Sequence, residues 1–230
     1  MSQKTHFIRL TLCVALLSHS IGTLAHELLL IPAPELESNW LRLRYSNIPA
    51  TDYKFSDGTL TIRVDKSASP LLYPFKEPAK LKNIRLKGHM LAAAKLKPDK
   101  DDFVLRMGPA LEGNRRLNAV QRMLAPQWIK ELDKLAKAKG RKLGRLDLSL
   151  VASESTTQTW KQRQHPDTDL IDEKIVLKAG GIGPFDLNLS YPETSPPSLG
   201  LWIGSDGDNS GAQFSLRIDE LLLEFYDRDK

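Results

Sequence analysis

The stretch Gly200-Leu201-Trp202-Ile203-Gly204-Ser205-Asp206-Gly207-Asp208-Asn209-Ser210-Gly211, followed by Ala212-Gln213-Phe214-Ser215-Leu216-Arg217-Ile218, decides the class of this fold. An apolar run enters an acidic, glycine-rich turn and an alternating run leaves it. Side chains alternate between the two faces of a strand, so Phe214, Leu216 and Ile218 mark one buried face. Asp, Asn and Gly between the runs are turn formers. The segment reads as strand, turn, strand, and predicts the closing hairpin of a β fold.

Working outward, the same signature recurs. Leu41, Leu43 and Tyr45 alternate with Arg42 and Arg44. Tyr53 and Phe55 alternate into Asp57-Gly58, and Leu60, Ile62 and Val64 alternate out, a strong hairpin pattern because that turn needs positive φ. Further strands are expected at 84–89, 103–107, 146–151, 174–177, 187–190, 199–204, 214–218 and 221–225. Roughly ten strands with turns between them point to a mainly β chain, an antiparallel, jelly-roll-like β-sandwich. Strands do not alternate with helices, which argues against a doubly wound sheet.

One segment departs from this pattern. Between 114 and 140 the apolar residues Val120, Met123, Leu124, Trp128, Ile129, Leu132, Leu135 and Ala136 fall at helical spacing. Pro126 suits the first turn of a second helix and Gly140 its end. Trp128, Leu132 and Leu135 share one face, with Glu131, Lys134, Lys137 and Lys139 largely away from it. The expectation is a helical insertion packed across the sandwich. If the stripe were exposed instead, the chain would be a structural partner of an envelope complex.

The first 25 residues have the layout of a secretory leader: Lys4 and Arg9, an apolar run from Leu10 to Leu17, and small residues up to Ala25. The expected protein is periplasmic or secreted, one domain over 26–230. Removing 25 of the 230 residues leaves 205, and removes Cys13, the single cysteine. Disulfides, a thiolate metal site and a cysteine nucleophile are thereby excluded. Without Lys4 and Arg9, 31 of the 33 basic residues face 28 acidic ones, a net +3. That near-balance argues against a nucleic-acid partner. The charge is uneven, however: 114–145 is basic, a surface suited to anionic lipid or polysaccharide if it is more than a solvated helix face. No later segment has the apolar length of a membrane span.

Candidate sites follow from residue type and spacing. Asp206, Asp208 and Ser210 occupy positions one, three and five of a loop with Gly211 sixth, the oxygen spacing that opens a helix-loop-helix calcium site. Position twelve is Arg217 rather than Glu, so calcium here would need a distant carboxylate such as Asp219 or Glu35. The plain alternative is a turn whose residues serve backbone geometry. Trp160, in the polar loop 153–172, and Tyr191, before the proline-rich 192–198 connection, are the aromatics expected to stack on a sugar ring; Trp40 and Trp202 fall in apolar strands and read as core. Asp101-Asp102 reads as part of a solvated turn. There is no nucleophile elbow and no phosphate-binding glycine loop. A glycan hydrolase or lyase would need two carboxylates meeting in one cleft, with Asp102, Asp169 and Asp172 the candidates. The reading preferred from sequence is a non-catalytic carbohydrate-type binding module, by analogy of fold.

Ile48-Pro49-Ala50-Thr51-x-Tyr53, Asp57-Gly58, Ser67-Ala68-Ser69, Asp101-Asp102-Phe103 with Arg106, and Trp202 to Gly211 occur in an order that resembles an exported bacterial family known only as a domain of unknown function, number thirty-forty-seven. The resemblance covers roughly Asn39 to the end and implies a β-sandwich related in shape to carbohydrate-binding jelly rolls. It implies no activity. The helical insert is not part of the family's pattern.

Overall fold

The computed structural model describes residues 26–227, so the leader expected over 1–25 lies outside the described residues. Among the described residues thirteen strands form two sheets packed face to face, a β-sandwich. They are β1 (His26–Ile31), β2 (Leu41–Arg42), β3 (Asp52–Ser56), β4 (Thr59–Asp65), β5 (Ala68–Ala79), β6 (Leu81–Ala92), β7 (Leu105–Arg115), β8 (Leu143–Ala152), β9 (Gln162–Gln164), β10 (Ile171–Lys178), β11 (Gly183–Ser190), β12 (Ser198–Asp206) and β13 (Gln213–Phe225), with helices α1 (Ala119–Leu124) and α2 (Gln127–Ala138) between β7 and β8. The first sheet runs β11-β6-β13-β4-β3, with β1 also on β13; the second runs β2-β5-β12-β7-β8-β10-β9.

The β3–β4 hairpin forms as its sequence dictates, with Asp57 at φ 52° and Gly58 at φ 70° in the turn. The closing hairpin does not form. β12 pairs with β5 and β7, whereas β13 pairs with β4, β6 and β1. The 207–212 turn therefore carries the chain from one sheet to the other. Two strand signals around a tight turn specify two strands, but pairing depends on which apolar faces meet across the sandwich.

A second correction concerns the antiparallel rule. β10 lies parallel to β8, reached through the long 153–170 connection and the short β9. A parallel neighbour needs a crossover of a dozen or more residues, and this loop supplies it. β5 carries Pro70, Pro74 and Pro78, which mask it in the sequence because proline cannot donate to a ladder. The Pro70 carbonyl accepts from Leu43 N–H on the β2 side, so the missing N–H groups of Pro70 and, by period two, Pro74 face that edge. β2 pairs only with Leu71 and Leu72 there, and the edge tolerates the loss.

Two apolar layers result. Between the sheets lie Leu60, Ile62, Ile84, Leu86, Met107, Leu201, Ile203, Leu216 and Leu223, with the rings of Trp40, Tyr73, Phe75 and Phe225 in successive contact. The second layer lies on the outer face of the β2–β9 sheet, where Leu72, Leu148, Leu150 and Trp202 meet Trp128, Leu132 and Ala136 of α2. Trp128 and Leu132 are buried, so the predicted stripe is covered by its own chain. Pro126 caps the start of α2 and Gly140, at φ 64°, follows its end. Within this sheet, neighbouring strands approach closely at glycines. A methyl group built on Gly108 would collide with the Asp147 carbonyl, and one on Gly200 would stand 2.6 Å from Tyr73 O.

Candidate functional site

Residues on β7 alternate between the two layers. Leu105 and Met107 enter the inter-sheet core, so Arg106 must point to the outer face. The same parity brings Asp206 of β12 and Glu173 of β10 to that face. The Arg106 guanidinium donates to Asp206 Oδ2 from Nε at 2.8 Å, to Glu173 from Nη1 and to the Asp101 carbonyl from Nη2 at 2.9 Å. Its own register neighbour on β12 is Gly204, which leaves room for the long side chain. Arg163 of β9 donates from Nε to Glu173 Oε2 at 2.8 Å and from Nη2 to Asp101. His165 Nε2 stands 3.4 Å from Asp101 Oδ2. The result is a row of charges across β12, β7, β10 and β9, with the Glu173 side chain wholly buried and Arg106 12% exposed.

Burial alone would pull the Arg106 guanidinium toward neutrality, but Asp206, Glu173 and Asp101 hold it charged, well above its ordinary range. Burial pushes the Asp206 carboxyl up to about 7 against the pull of Arg106. Asp101 moves the other way: burial raises it, and His165, Arg106 and Arg163 together hold it well below the usual carboxylate range. Two guanidinium faces also lie on aromatic rings, Arg106 at 4.6 Å from the Phe103 centroid and Arg163 at 4.1 Å from that of Trp160.

This row forms one side of a cleft of about 640 Å³ on the outer face of the second sheet. Its floor is Trp202, Arg106, Leu148 and Ile171. The start of α2 closes one side with Pro126, Trp128 and Ile129, and Trp128 meets Trp202 edge to face at 5.8 Å between centroids. The 99–101 and 165–168 loops, the 206–209 turn and half-buried Tyr45 complete the rim, bringing Asp99, Lys100, His165, Asp167, Thr168, Asp208 and Asn209 around an apolar base. Burial raises the Tyr45 phenol and keeps it protonated, a donor as well as a flat ring.

The sequence-predicted site residues distribute differently. Tyr191 is not a loop aromatic open to solvent: it is 4% exposed in the inter-sheet core, with Lys174 Nζ 5.0 Å above its ring. The strand parity that ends at Ser190 carries the next side chain inward. Trp160 is half-buried in the 153–161 loop, edge-on to Phe103 and covered on one side by Arg163, outside the cleft lining. Asp206, Asp208 and Ser210 do not converge. Both Asp206 oxygens are engaged, by Phe103 N–H at 2.5 Å and by Arg106. Ser210 Oγ accepts from Lys97 N–H at 2.9 Å. The turn directs N–H groups rather than oxygens at a common point: Asn209 and Ser210 donate to the Asp102 carboxylate at 3.2 and 2.5 Å. Asp102 is thus buried and spent on the turn, rather than lying in a solvated run. Among the described residues no group of three His, Cys, Asp or Glu side chains is arranged to hold a metal ion.

Of the three hydrolase or lyase candidates, Asp102 lies elsewhere, on the 207–212 turn, whereas Asp169 and Asp172 do come together, each held by an arginine. Asp169 and Asp172 line a separate cleft and pair with Arg115 at 2.7 Å and Arg145 at 2.9 Å. Arg106, Glu173 and Tyr45 carry the site and were missed from sequence. The available signal was a lone arginine in the apolar first half of β7, where a charge must find a buried partner; Glu173, flanked by Asp172 and Lys174, gave none.

No protein-family model and no curated protein matches the chain. Solved structures with a similar course include the mannan-recognising carbohydrate-binding module TmCBM27, 12% identical, at a TM-score of 0.37 over 88% of this chain and 100% of that one. PfGH50B is 11% identical at 0.30, over 81% of this chain and 23% of that one. A CBM4 structure is 9% identical at 0.30, over 81% and 86%.

Proposed function

We propose that this is an exported, non-catalytic β-sandwich protein that binds a carbohydrate in the cleft between α2 and the outer face of the second sheet. The observation that carries the reading is the composition of that cleft. A floor of Trp202, Leu148 and Ile171 beside Arg106, with Trp128 in one wall and the Tyr45 ring on the rim, is surrounded by Asp, Asn, Thr, His and Lys side chains from three separate loops. A sugar offers the same two chemistries, an apolar ring face and a girdle of hydroxyls that donate and accept.

The non-catalytic part of the reading is supported by how the carboxylates are used. Of the carboxylates at and beside the cleft, Asp206, Glu173 and Asp101 are held by Arg106 or Arg163, so at these three a substrate proton would have to compete with a guanidinium. The leader-like sequence at 1–25 supports export to the periplasm or beyond. A glycan array probed with the purified protein, with and without a chelator, tests the binding. Retention of at least one glycan family is expected, unchanged by chelation because both Asp206 carboxylate oxygens and Ser210 Oγ are already engaged. Retention of none under either condition would sink the proposal.

A further inference from the structure

α1 is a six-residue helix with no buried residue. Its large side chains Val120, Met123 and Leu124 are 62%, 71% and 74% exposed. They fall at i, i+3 and i+4 and form one apolar face turned outward. Scattered exposed apolar residues are ordinary, but three neighbours on one short helix form a patch that water does not favour. The helix is nonetheless fixed in place. Asn118 and Gln121 form a reciprocal capping box, Arg122 reaches Asp133 of α2 at 3.3 Å and the Leu117 carbonyl at 3.0 Å, and Lys130 donates to the Met123 carbonyl at 3.2 Å. Its polar side chains and backbone ends hold it to the rest of the insert, while its apolar side chains stay mostly exposed.

The surroundings are basic. Residues 115–145 hold ten Lys and Arg against Glu131 and Asp133. Glu112, Asp169 and Asp172 from outside the segment pair with three of the ten, which still leaves a surplus of positive charge in the segment. An exposed apolar face carried on a basic segment fits an anionic lipid surface: the apolar residues enter the headgroup boundary while the cations meet phosphate. A protein partner would need a complementary acidic pocket with an apolar floor, whereas a membrane supplies both chemistries without specific shape. We infer that α1 is a peripheral docking element by which this protein sits on an anionic lipid membrane, with Val120, Met123 and Leu124 inserted and Arg122 and Lys130 among the cations beside them. The inference does not depend on what the cleft binds.

The test is sedimentation of the purified protein with vesicles of phosphatidylcholine and phosphatidylglycerol in equal parts, and with phosphatidylcholine alone. Binding to the mixed vesicles is expected, weakened when salt is raised to about 0.5 M. The variant Val120→Ser, Met123→Ser, Leu124→Ser should bind at least about tenfold more weakly, because it loses the apolar insertion and retains the charges. Since all three side chains face water, its thermal midpoint should match the parent, which guards against misfolding as the cause. Equal sedimentation with both vesicle types overturns the inference, as does a triple variant that binds like the parent. So does a dimer in solution that the triple variant abolishes without any vesicle binding, since the face would then be covered by a second copy.

Discussion

Arg106 joins three carboxylates from three parts of the chain, and its loss would take the guanidinium from Asp206 and leave Glu173 and Asp101 to Arg163. Glu173 is the most exposed to that loss, because its side chain has no access to water and only Arg163 would remain to pair it. Removing one partner of a buried ion pair costs about 3–5 kcal/mol, most of it from the charge left behind. Arg106→Ala is therefore expected to lose at least about 3 kcal/mol in urea unfolding. Arg106→Lys should recover only part, since one ammonium cannot reach Asp206, Glu173 and Asp101 at once. A loss below about 1 kcal/mol for Arg106→Ala would mean that the row is a surface feature. Asp101 makes a prediction in pH. Its folded-state pKa is depressed, so the stability it contributes is present above its unfolded value, near 3.9, and is lost as the pH falls below about 4. The gap in thermal midpoint between the parent and Asp101→Asn should be full at neutral pH and close on acidification. A gap that persists at low pH would assign the effect to packing rather than charge.

At the scale of elements, the insert divides into a helix that stabilises and a helix that does not. Leu132 of α2 is 1% exposed against the outer layer, so Leu132→Ala should cost about 2–5 kcal/mol, whereas Leu124→Ala on α1 should lie within about 0.5 kcal/mol of the parent. Chemical denaturation of the two variants side by side checks both values, and equal losses would contradict the division. The α2 stripe was legible in the sequence because helical periodicity is local, and so was the hairpin at Asp57-Gly58. The pairing of β12 with β5 rather than β13 was not, because the 207–212 turn is compatible with either arrangement and the choice is made by distant apolar faces. β5 was hidden by its prolines, whose harmlessness depends on an edge that sequence does not reveal. The parallel placement of β10 likewise follows from a crossover whose length, but not direction, can be read. The cleft was the least legible part. Its rim is assembled from Tyr45, 99–101, 165–168 and 206–209, segments that only the sandwich brings together. Tyr191 shows the same limit in reverse: a tyrosine bordering a proline-rich loop looks exposed until strand parity turns it into the core.

For the whole molecule, the sandwich supplies a flat outer face and the insert converts part of it into a cleft. The apolar stripe of α2 buries the rest of that face, and its first turn, through Trp128, becomes a wall. The proposed export is tested on the full chain: the protein recovered from the periplasm or medium should begin near His26, and N-terminal sequencing that found Met1 would contradict it. The location of the ligand is the central claim, and a glycan array probed in parallel with the parent, Tyr45→Ala and Trp160→Ala tests it most directly. The account predicts that the parent and Trp160→Ala retain the same glycans while Tyr45→Ala loses them at least about tenfold, the ring contact being worth roughly 1 kcal/mol or more beyond its buried area. Retention by Tyr45→Ala together with loss by Trp160→Ala would contradict it and move the site to the 153–161 loop.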